Sequence, residues 1–168
     1  GVFTGARSNG LVILDVDRNL ARLKSKWCDS LDGAPVVTST KANAAKYLFR
    51  VPEALWGVVR GFGLSDTGQG YEVLWGRQGL LYGAYPGSSD GKAPAGRYGF
   101  EGDLEAIPEA PAWLLAEMRD AAGKELVRRD QQSFGVILRE RRKRRVDLAV
   151  GAGVENFDAH PGRSGARL

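Results

Sequence analysis

Cysteine, histidine and methionine each occur only once in this sequence of 168 residues. The single cysteine, Cys28, excludes an intrachain disulfide and a cysteine-based zinc site, and is typical of a reduced thiol in a cytosolic protein. The single histidine, His160, lies in a glycine-rich tail, which excludes histidine-rich metal sites and disfavours Ser-His-Asp hydrolysis. No apolar run approaches the length of a membrane span and no N-terminal segment resembles a signal peptide. We therefore expect a cytoplasmic protein with no membrane partner.

Positive charge is scarce in the first 120 residues and concentrated after them. Residues 1–120 carry 13 Lys and Arg against 14 Asp and Glu, whereas residues 121–168 carry 11 against 6. The densest basic run lies at 139–145. Such a run is most often a solvated charged helix or tail, but Lys and Arg runs also bind nucleic-acid phosphates. The candidate nucleic-acid contacts are Arg139, Arg141, Arg142, Lys143, Arg144 and Arg145.

Two carboxylates end the most apolar stretch of the sequence, residues 10–17 (GLVILDVD). The unbroken run from Leu11 to Leu14 predicts a buried central strand. Because side chains alternate along a strand, we expect Asp15 and Asp17 on the same face, about 7 Å apart along the backbone. Acids at the end of a core strand are costly unless a cation lies between them, and Mg²⁺ or Mn²⁺ prefers such oxygen ligands. The alternative is that Asp17 caps the helix that follows.

Hydrophobic periodicity predicts helices over 18–27 and 112–122 and strands over 35–38, 46–51, 70–75, 78–82 and 96–100. Gly76 and Arg77 have the length of a hairpin turn, and the small residues 39–45 suit a loop whose amides approach a phosphate. Residues 151–168 are glycine-rich and aperiodic, which predicts disorder. The pattern predicts an α+β domain over 1–122, with a mostly antiparallel, partly mixed sheet and flanking helices. A basic, partly disordered tail is predicted over 123–168.

In their order and spacing, four stretches of the chain resemble the bifunctional DNA primase/polymerase (prim-pol) domain of the archaeo-eukaryotic primase superfamily. The stretches are Thr4-Gly5 with Gly10 to Asp17, Pro35 to Thr38 with Ala45 to Pro52, Tyr71 to Leu74 with Gly76 to Gln78 and Leu81 to Gly83, and Tyr98 with Ile107-Pro108 and Ala110 to Leu115. They are similar to the three catalytic motifs of the family and to its exit. The resemblance implies an RRM-like catalytic core. Members carry a helical segment before the Thr-Gly pair, so it also implies that an N-terminal helical segment is missing from this sequence.

The resemblance implies a role for the acids of these motifs. Asp15, Asp17 and Glu72 would be the catalytic carboxylates and the ligands of two Mg²⁺ or Mn²⁺ ions, with Asp66 as the alternative third ligand. Lys46 stands where many members have a histidine that touches the phosphates of the nucleotide, although other members have a lysine in a similar setting. Taken without the resemblance, Glu72 is typical of a solvent-facing strand residue and Lys46 of an ordinary strand-end charge.

Two further residues, Arg77 and Gln78, would lie near the nucleotide or the template. The function that the resemblance implies is template-directed nucleotidyl transfer, as DNA primase, DNA polymerase or both, in the replication of phage, plasmid or other mobile DNA. Its partners would be a DNA template and primer, (d)NTPs and a helicase in cis or in trans, in the cytoplasm of a bacterium or of a phage-infected host. Two metal ions would activate the primer 3′-hydroxyl and stabilise the departing pyrophosphate.

Two other classes of function stay open at the level of the sequence. One is a non-catalytic nucleic-acid-binding module derived from a polymerase. The other is a different metal-dependent transferase that uses Asp-x-Asp, such as a sugar-nucleotide glycosyltransferase. The short chain and the lack of a glycine-rich nucleotide fold disfavour the transferase.

Overall fold

The computed structural model describes residues 1–64, 70–87, 89, 91 and 94–151, with the backbone alone for residues 28, 130, 133–138 and 141–151. The strands are β1 (Val2–Phe3), β2 (Leu11–Val16), β3 (Val36–Thr38), β4 (Ala45–Arg50), β5 (Tyr71–Leu74), β6 (Gln78–Gly79), β7 (Ala84–Tyr85), β8 (Gly96–Arg97) and β9 (Gly99–Glu101). The helices are α1 (Leu20–Leu31) and α2 (Ala112–Gly151), and 3-10 turns span Ala6–Ser8 and Glu53–Leu55.

A five-stranded sheet in the order β5-β2-β4-β3-β9 forms the centre of the fold. Every neighbouring pair in it is antiparallel, and β1-β6 and β7-β8 form two small antiparallel pairs. The predicted α+β class is confirmed. The sheet was also expected to be partly mixed. Within the described residues, the only parallel pairing is an isolated bridge between Arg50 and Glu109.

One face of the sheet packs against the helices. On β2 this face carries Val12, Leu14 and Val16, each at most 1% exposed, because every second residue of the apolar run points the same way. Leu23 of α1 and Leu114 of α2 are buried in the same cluster. A fully buried leucine contributes about 2 kcal/mol through the apolar surface it removes from water, so this cluster holds both helices on the sheet.

The other face of β2 carries Ile13 and Asp15. Ile13 belongs to a smaller apolar cluster with Leu48, Leu74 and Leu81. Asp15 lies two residues further along the same face, at the edge of this cluster, and is only 8% exposed. The side of the sheet away from the helices is therefore apolar at one end and acidic at the other.

The predicted hairpin between residues 70–75 and 78–82 is wrong. β6 pairs with β1, with Gly79 opposite Val2, and not with β5. After β5 the chain crosses over the sheet, and a Cβ on Gly79 would lie 2.6 Å from the Cδ1 atom of Ile13. A larger residue at this position would have to displace the end of the Ile13 side chain, so the absence of a side chain at Gly79 favours the close approach of β6 to the smaller apolar cluster.

The predicted strand over 96–100 is divided into β8 and β9. The break falls at Tyr98, whose backbone N–H donates to the carbonyl oxygen of Gly83 at 3.1 Å. The ring of Tyr98 meets that of Tyr85 edge to face, with ring centroids 5.6 Å apart. These contacts take the chain out of one ladder and into another.

The predicted helix over 112–122 begins as expected but continues to Gly151. No proline interrupts the sequence between Pro111 and Pro161, and the segment is rich in residues of high helix propensity. The basic run at 139–145 therefore has a helical backbone. Within the described residues, no helix is both long and apolar enough to cross a membrane.

The chain consists of two compact units, with the boundary between Glu125 and Leu126. The first unit, Gly1–Glu125, contains the whole sheet, α1 and the buried part of α2. The assignment of a catalytic domain to residues 1–122 and of a basic, partly disordered tail to 123–168 stays a prediction. Disorder was predicted for residues 151–168; Gly151 is instead the last residue of α2, and residues 152–168 lie outside the described residues.

Candidate active site

The register of the central sheet brings the predicted site residues together. Asp15 on β2 lies directly opposite Glu72 on β5 and directly opposite Lys46 on β4. Directly opposed residues of antiparallel strands have their Cβ atoms about 5 Å apart and on the same face. The row Glu72, Asp15, Lys46 therefore runs across three adjacent strands on the face away from the helices.

Asp17 follows the last residue of β2 by one position. Its backbone N–H donates to the carbonyl oxygen of Gly70 at 3.0 Å, and the N–H of Arg18 donates to the same oxygen at 3.1 Å. Gly70 has a φ of +85°, and a Cβ there would lie 2.9 Å from the carbonyl oxygen of Arg18. The position therefore requires glycine, and the turn that it forms fixes the backbone of Asp17 beside β5.

Each aspartate is paired with a lysine. The Lys46 ammonium donates to Asp15 Oδ2, and both side chains are largely buried. The Lys41 Nζ atom lies 2.8 Å from Asp17 Oδ1, and both of these side chains are about one third exposed. Lys46 lies on β4 and Lys41 in the loop before it, so one short segment, residues 41–46, supplies both cations.

The lysines do not keep the pKa values of the Asp15 and Glu72 carboxyl groups low. Burial raises the pKa of the Asp15 carboxyl, against the opposing effect of the Lys46 ammonium and with a smaller contribution from the charge of Asp17. Burial is also the largest cause of the raised pKa of Glu72, and repulsion from Asp15 and Asp17 raises this pKa further. The charges of Lys46 and Arg77 lower it. Crowded carboxylates of this kind are stabilised by a cation that carries more than one charge.

A small open cleft lies in front of the two aspartates. We call it the acidic cleft. The residues that border it include Asp15, Asp17, Lys41, Lys46, Tyr85 and Tyr98. The two tyrosines meet edge to face, so the cleft combines carboxylates, ammonium groups and aromatic rings.

The predicted phosphate-approach loop, residues 39–45, borders this cleft. The Lys41 N–H donates to Ser39 Oγ at 3.2 Å, and the N–H of Leu20, at the start of α1, donates to the carbonyl oxygen of Asn43 at 3.2 Å. Asn43 adopts a left-handed conformation with a φ of +57°, which asparagine tolerates better than most residues. The loop is therefore attached to α1 at one end, with Lys41 at the cleft.

Arg77 and Gln78 occupy different surroundings. Arg77 is exposed and close enough to Glu72 for its charge to lower the pKa of that carboxyl. The buried Thr4 fixes its backbone, because Thr4 N–H and Oγ1–H donate to the Arg77 carbonyl oxygen at 2.9 and 2.8 Å and Arg77 N–H donates to Thr4 Oγ1 at 3.1 Å. Gln78 lies on β6 opposite Phe3 and does not border the acidic cleft.

The predicted metal ligands lie side by side but are not gathered around one point. Across the described part of the chain, no three His, Cys, Asp or Glu side chains form a group that could hold a metal ion. The ammonium groups of Lys46 and Lys41 lie on the carboxylates of Asp15 and Asp17, at oxygens that an ion would need. Asp66, the alternative third ligand, lies outside the described residues.

The basic run of the sequence lies on α2. Arg139 is exposed there, whereas Arg141, Arg142, Lys143, Arg144 and Arg145 have helical backbones and side chains outside the described residues. All six belong to the second compact unit, Leu126–Leu168. Their role as nucleic-acid contacts stays a prediction.

Sequence reasoning missed the site roles of Lys41 and Thr4. Lys41 is the single charged residue between β3 and β4, in a segment singled out only for its small side chains. Its charge was the one available signal, but the sequence does not show that Asp17, 24 residues earlier, lies beside it. Thr4 had no such signal, because its partner Arg77 is 73 residues away.

Comparisons with protein-family models, with curated proteins and with solved structures give no match for this chain. A functional assignment therefore depends on the residues of the acidic cleft and on the sequence motifs to which they belong.

Proposed function

We propose that this protein catalyses template-directed nucleotidyl transfer, as a DNA primase, a DNA polymerase or both. The observation that carries the proposal is the row of Glu72, Asp15 and Lys46 across three strands, with Asp17 at the end of β2. These are the residues to which the resemblance to prim-pol domains gives the catalytic and phosphate-contacting roles. The sequence motifs alone indicate these residues, and they come from segments up to 57 residues apart.

The order of the strands supports an RRM-like core. α1 connects β2 to β3, which run parallel to each other with β4 between them, and β5 lies on the other side of β2. This is the split β-α-β arrangement with the fourth strand added next to the first. In such a sheet the two middle strands are β2 and β4, which are the strands of Asp15 and Lys46.

The chemistry of the side chains fits divalent ions. Carboxylate oxygens are the ligands that Mg²⁺ and Mn²⁺ prefer, and burial, with a further contribution from neighbouring carboxylates, raises the pKa of both Asp15 and Glu72. Asp15, Asp17 and Glu72 would hold two ions, which when bound activate the primer 3′-hydroxyl and stabilise the departing pyrophosphate. The 3′-hydroxyl would lose its proton to water, and its oxygen would form a bond to the α-phosphorus of the nucleotide as the bond between that phosphorus and the pyrophosphate oxygen breaks.

The remaining residues would bind and orient the nucleotide. The Lys46 ammonium would contact the triphosphate from the floor of the acidic cleft, where a cation gains more from an anion than in water because both are partly desolvated. Arg77, whose backbone Thr4 holds, would lie near the nucleotide or the template. The DNA, the helicase partner and the setting in mobile DNA replication follow from the resemblance.

Incorporation of labelled nucleotides tests the proposal directly. The full chain is incubated with a primed DNA template, Mn²⁺ or Mg²⁺, and each dNTP or NTP in turn. We expect incorporation that follows the template base and disappears in Asp15→Asn. DNA binding without any incorporation would instead support the non-catalytic module, and turnover of a UDP-sugar without template would support the transferase.

A further inference from the structure

The pair between Lys41 and Asp17 differs from the pair between Lys46 and Asp15. The Lys41 and Asp17 side chains are 34% and 32% exposed, against 17% and 12% for Lys46 and Asp15. Lys46 is fixed within a ladder between two strands, whereas Lys41 lies in the loop that connects β3 to β4. The Lys41 ammonium reaches Asp17 through a flexible chain of four carbons. The ion pair between Lys41 and Asp17 can therefore separate without disturbing the sheet.

Exposed ion pairs contribute little to the stability of a fold, because solvent screens them and because two long side chains lose freedom. Lys41 forms one hydrogen bond to Asp17 Oδ1. The pair is thus poorly explained as a structural clamp. It does, however, occupy an oxygen of an acid that borders the acidic cleft, and Lys41 itself borders that cleft.

A divalent ion and the Lys41 ammonium compete for Asp17. Both are cations, and at the separation that one carboxylate imposes they repel each other in a partly desolvated cleft. An ion on Asp17 would therefore displace the ammonium. A phosphate group in the same cleft is an alternative anion within reach of a residue that already borders it.

We propose that Lys41 is a displaceable counter-ion, which neutralises Asp17 in the metal-free protein and binds the triphosphate of the nucleotide once a divalent ion has taken Asp17. The proposal rests on the proposed function, since it assigns a ligand to the same cleft. It makes the binding of metal and of nucleotide cooperative through one side chain, and such a coupling acts equally in both directions. Lys41 thus becomes a nucleotide-binding residue in addition to those assigned from the motifs.

The test compares Lys41→Ala with the wild type in two binding measurements on the full chain. In the first, Mn²⁺ is titrated without nucleotide and free Mn²⁺ is followed by electron paramagnetic resonance. Removal of the competitor should tighten Mn²⁺ binding about threefold, the scale of an exposed ion pair. Lys24→Ala is the matched control, because Lys24 is an exposed lysine away from the acidic cleft, and Asp17→Asn should weaken Mn²⁺ binding.

In the second measurement, the fluorescent nucleotide mant-dATP is titrated at saturating Mn²⁺. Lys41→Ala should now weaken binding about tenfold, the scale of a hydrogen bond to a charged group, while Lys24→Ala stays at the wild-type value. Lys41→Gln, which keeps the length of the side chain without its charge, should behave in the same way. Tighter Mn²⁺ binding together with weaker mant-dATP binding indicates a counter-ion, because loss of a merely structural role would weaken the binding of both.

Unchanged or weaker Mn²⁺ binding in both Lys41 variants overturns the inference. If Asp17→Asn still loses Mn²⁺ and the wild type still incorporates nucleotides, the proposed function survives that outcome. Unchanged mant-dATP affinity in both variants overturns it as well. Absence of Mn²⁺ binding and of incorporation in the wild type would remove the inference and the proposed function together.

Discussion

Asp15 and Glu72 lie directly opposite each other on adjacent strands, although both are acids. Like charges in this position destabilise an antiparallel pair, and burial adds to the cost of ionising Asp15. A sheet that needed only stability would have a neutral or basic residue at one of these positions. Local conflicts of this kind are typical of functional sites, where stability is given up for a ligand.

Glu72→Gln is therefore expected to stabilise the metal-free protein and to abolish nucleotide incorporation. The loss of one negative charge beside Asp15 and Asp17 should raise the free energy of unfolding by about 0.5 kcal/mol at neutral pH, the scale of a cross-strand pair. Denaturant unfolding in EDTA measures the first effect, and labelled dNTP incorporation with Mn²⁺ measures the second.

The matched control is Glu101→Gln, an exposed glutamate on the edge strand β9, which should change neither quantity. Full activity in Glu72→Gln would mean that the third acid lies elsewhere. Full activity in Asp17→Ala would go further, because it would remove the two-metal mechanism. The alternative role of Asp17 as a helix cap is wrong, because Asn19 is the N-cap residue of α1 and the Asp17 carboxylate pairs with Lys41.

The effect of Glu72→Gln should depend on pH in one direction. The pKa of Glu72 is raised in the folded protein, so its contribution to stability is complete below the unfolded pKa of about 4.3 and is lost as the pH rises through the folded pKa. Glu72→Gln has no carboxyl group to ionise at this position, so its stability does not fall in this way as the pH rises. We expect the gain in unfolding free energy to be near zero at pH 4 and to grow towards pH 7.

Unfolding curves of wild type and variant at half-unit pH intervals in EDTA measure this difference. A gain that is constant across the range would mean that Glu72 acts through packing and not through its charge. Addition of Mn²⁺ at pH 7 should reverse the sign, because an ion that binds only the folded wild type stabilises it by mass action.

The sequence predicted the acidic strand because its signal is local. An unbroken apolar run is typical of a buried strand, and alternation alone then puts Asp15 and Asp17 on one face. The position of Lys46 beside Asp15 depends on the register of two strands, which periodicity does not specify. There the resemblance to a family supplied what the local pattern could not.

The errors fall where long-range contacts decide the path of the chain. A turn of two residues after β5 is a reasonable hairpin signal. However, the backbone of Arg77 forms its hydrogen bonds with Thr4, and β6 therefore pairs with β1. Lys41 was overlooked because a loop has no period from which the direction of its side chain could be read. In both cases, the deciding partner is far away in the sequence.

Lys46→Ala is expected to raise the KM for nucleotide and to lower the rate, while DNA binding stays close to normal. It also leaves Asp15 buried without its cation, which should cost about 2 kcal/mol of unfolding free energy in the absence of metal. Saturating Mn²⁺ should recover most of that stability, because an ion replaces the ammonium at Asp15, but should not recover the KM.

Steady-state incorporation at varied dNTP concentration and thermal unfolding with and without Mn²⁺ measure these effects. Lys24→Ala again serves as the control for the loss of a lysine on the surface. An unaltered nucleotide affinity in Lys46→Ala would show that the triphosphate contacts other residues.

Thr4→Val tests whether Thr4 holds Arg77 in position. Valine has the shape of threonine but leaves the Arg77 N–H without the acceptor that Thr4 Oγ1 provides, so we expect a loss of about 1–2 kcal/mol. If the position of Arg77 matters for nucleotide or template, the variant should also raise KM in the same direction as Arg77→Ala.

Ser25→Ala is the control, because it removes an exposed hydroxyl that bonds only to the carbonyl oxygen of Arg22 in its own helical turn. A stability loss in Thr4→Val with unchanged kinetics, beside an impaired Arg77→Ala, would limit Thr4 to the fold. Wild-type kinetics in Arg77→Ala would remove Arg77 from the site.

Removal of residues 126–168 is expected to weaken DNA binding and to flatten its dependence on salt, without abolishing incorporation at saturating template. The cut keeps Leu114 and Met118 in the core and retains Glu125, which forms an ion pair with Arg60 at 3.5 Å. The removed segment carries 10 Lys and Arg against 5 Asp and Glu. Each lost phosphate contact should lower the slope of log K against log salt by about 0.9 on duplex DNA.

The full-length variant Arg144→Gln/Arg145→Gln separates charge from the loss of the helix. It should lower the slope by up to about 1.8 if both side chains contact phosphates, since each neutralised contact releases counter-ions independently of the sequence bound. Fluorescence anisotropy of a labelled primed template, at salt concentrations from about 50 to 300 mM, measures the slope. An uncertainty of a few tenths in the slope is small enough to resolve one contact, which is worth about 0.9. An unchanged slope in the truncated protein would mean that the first unit binds the template alone and that the basic run is a solvated helix.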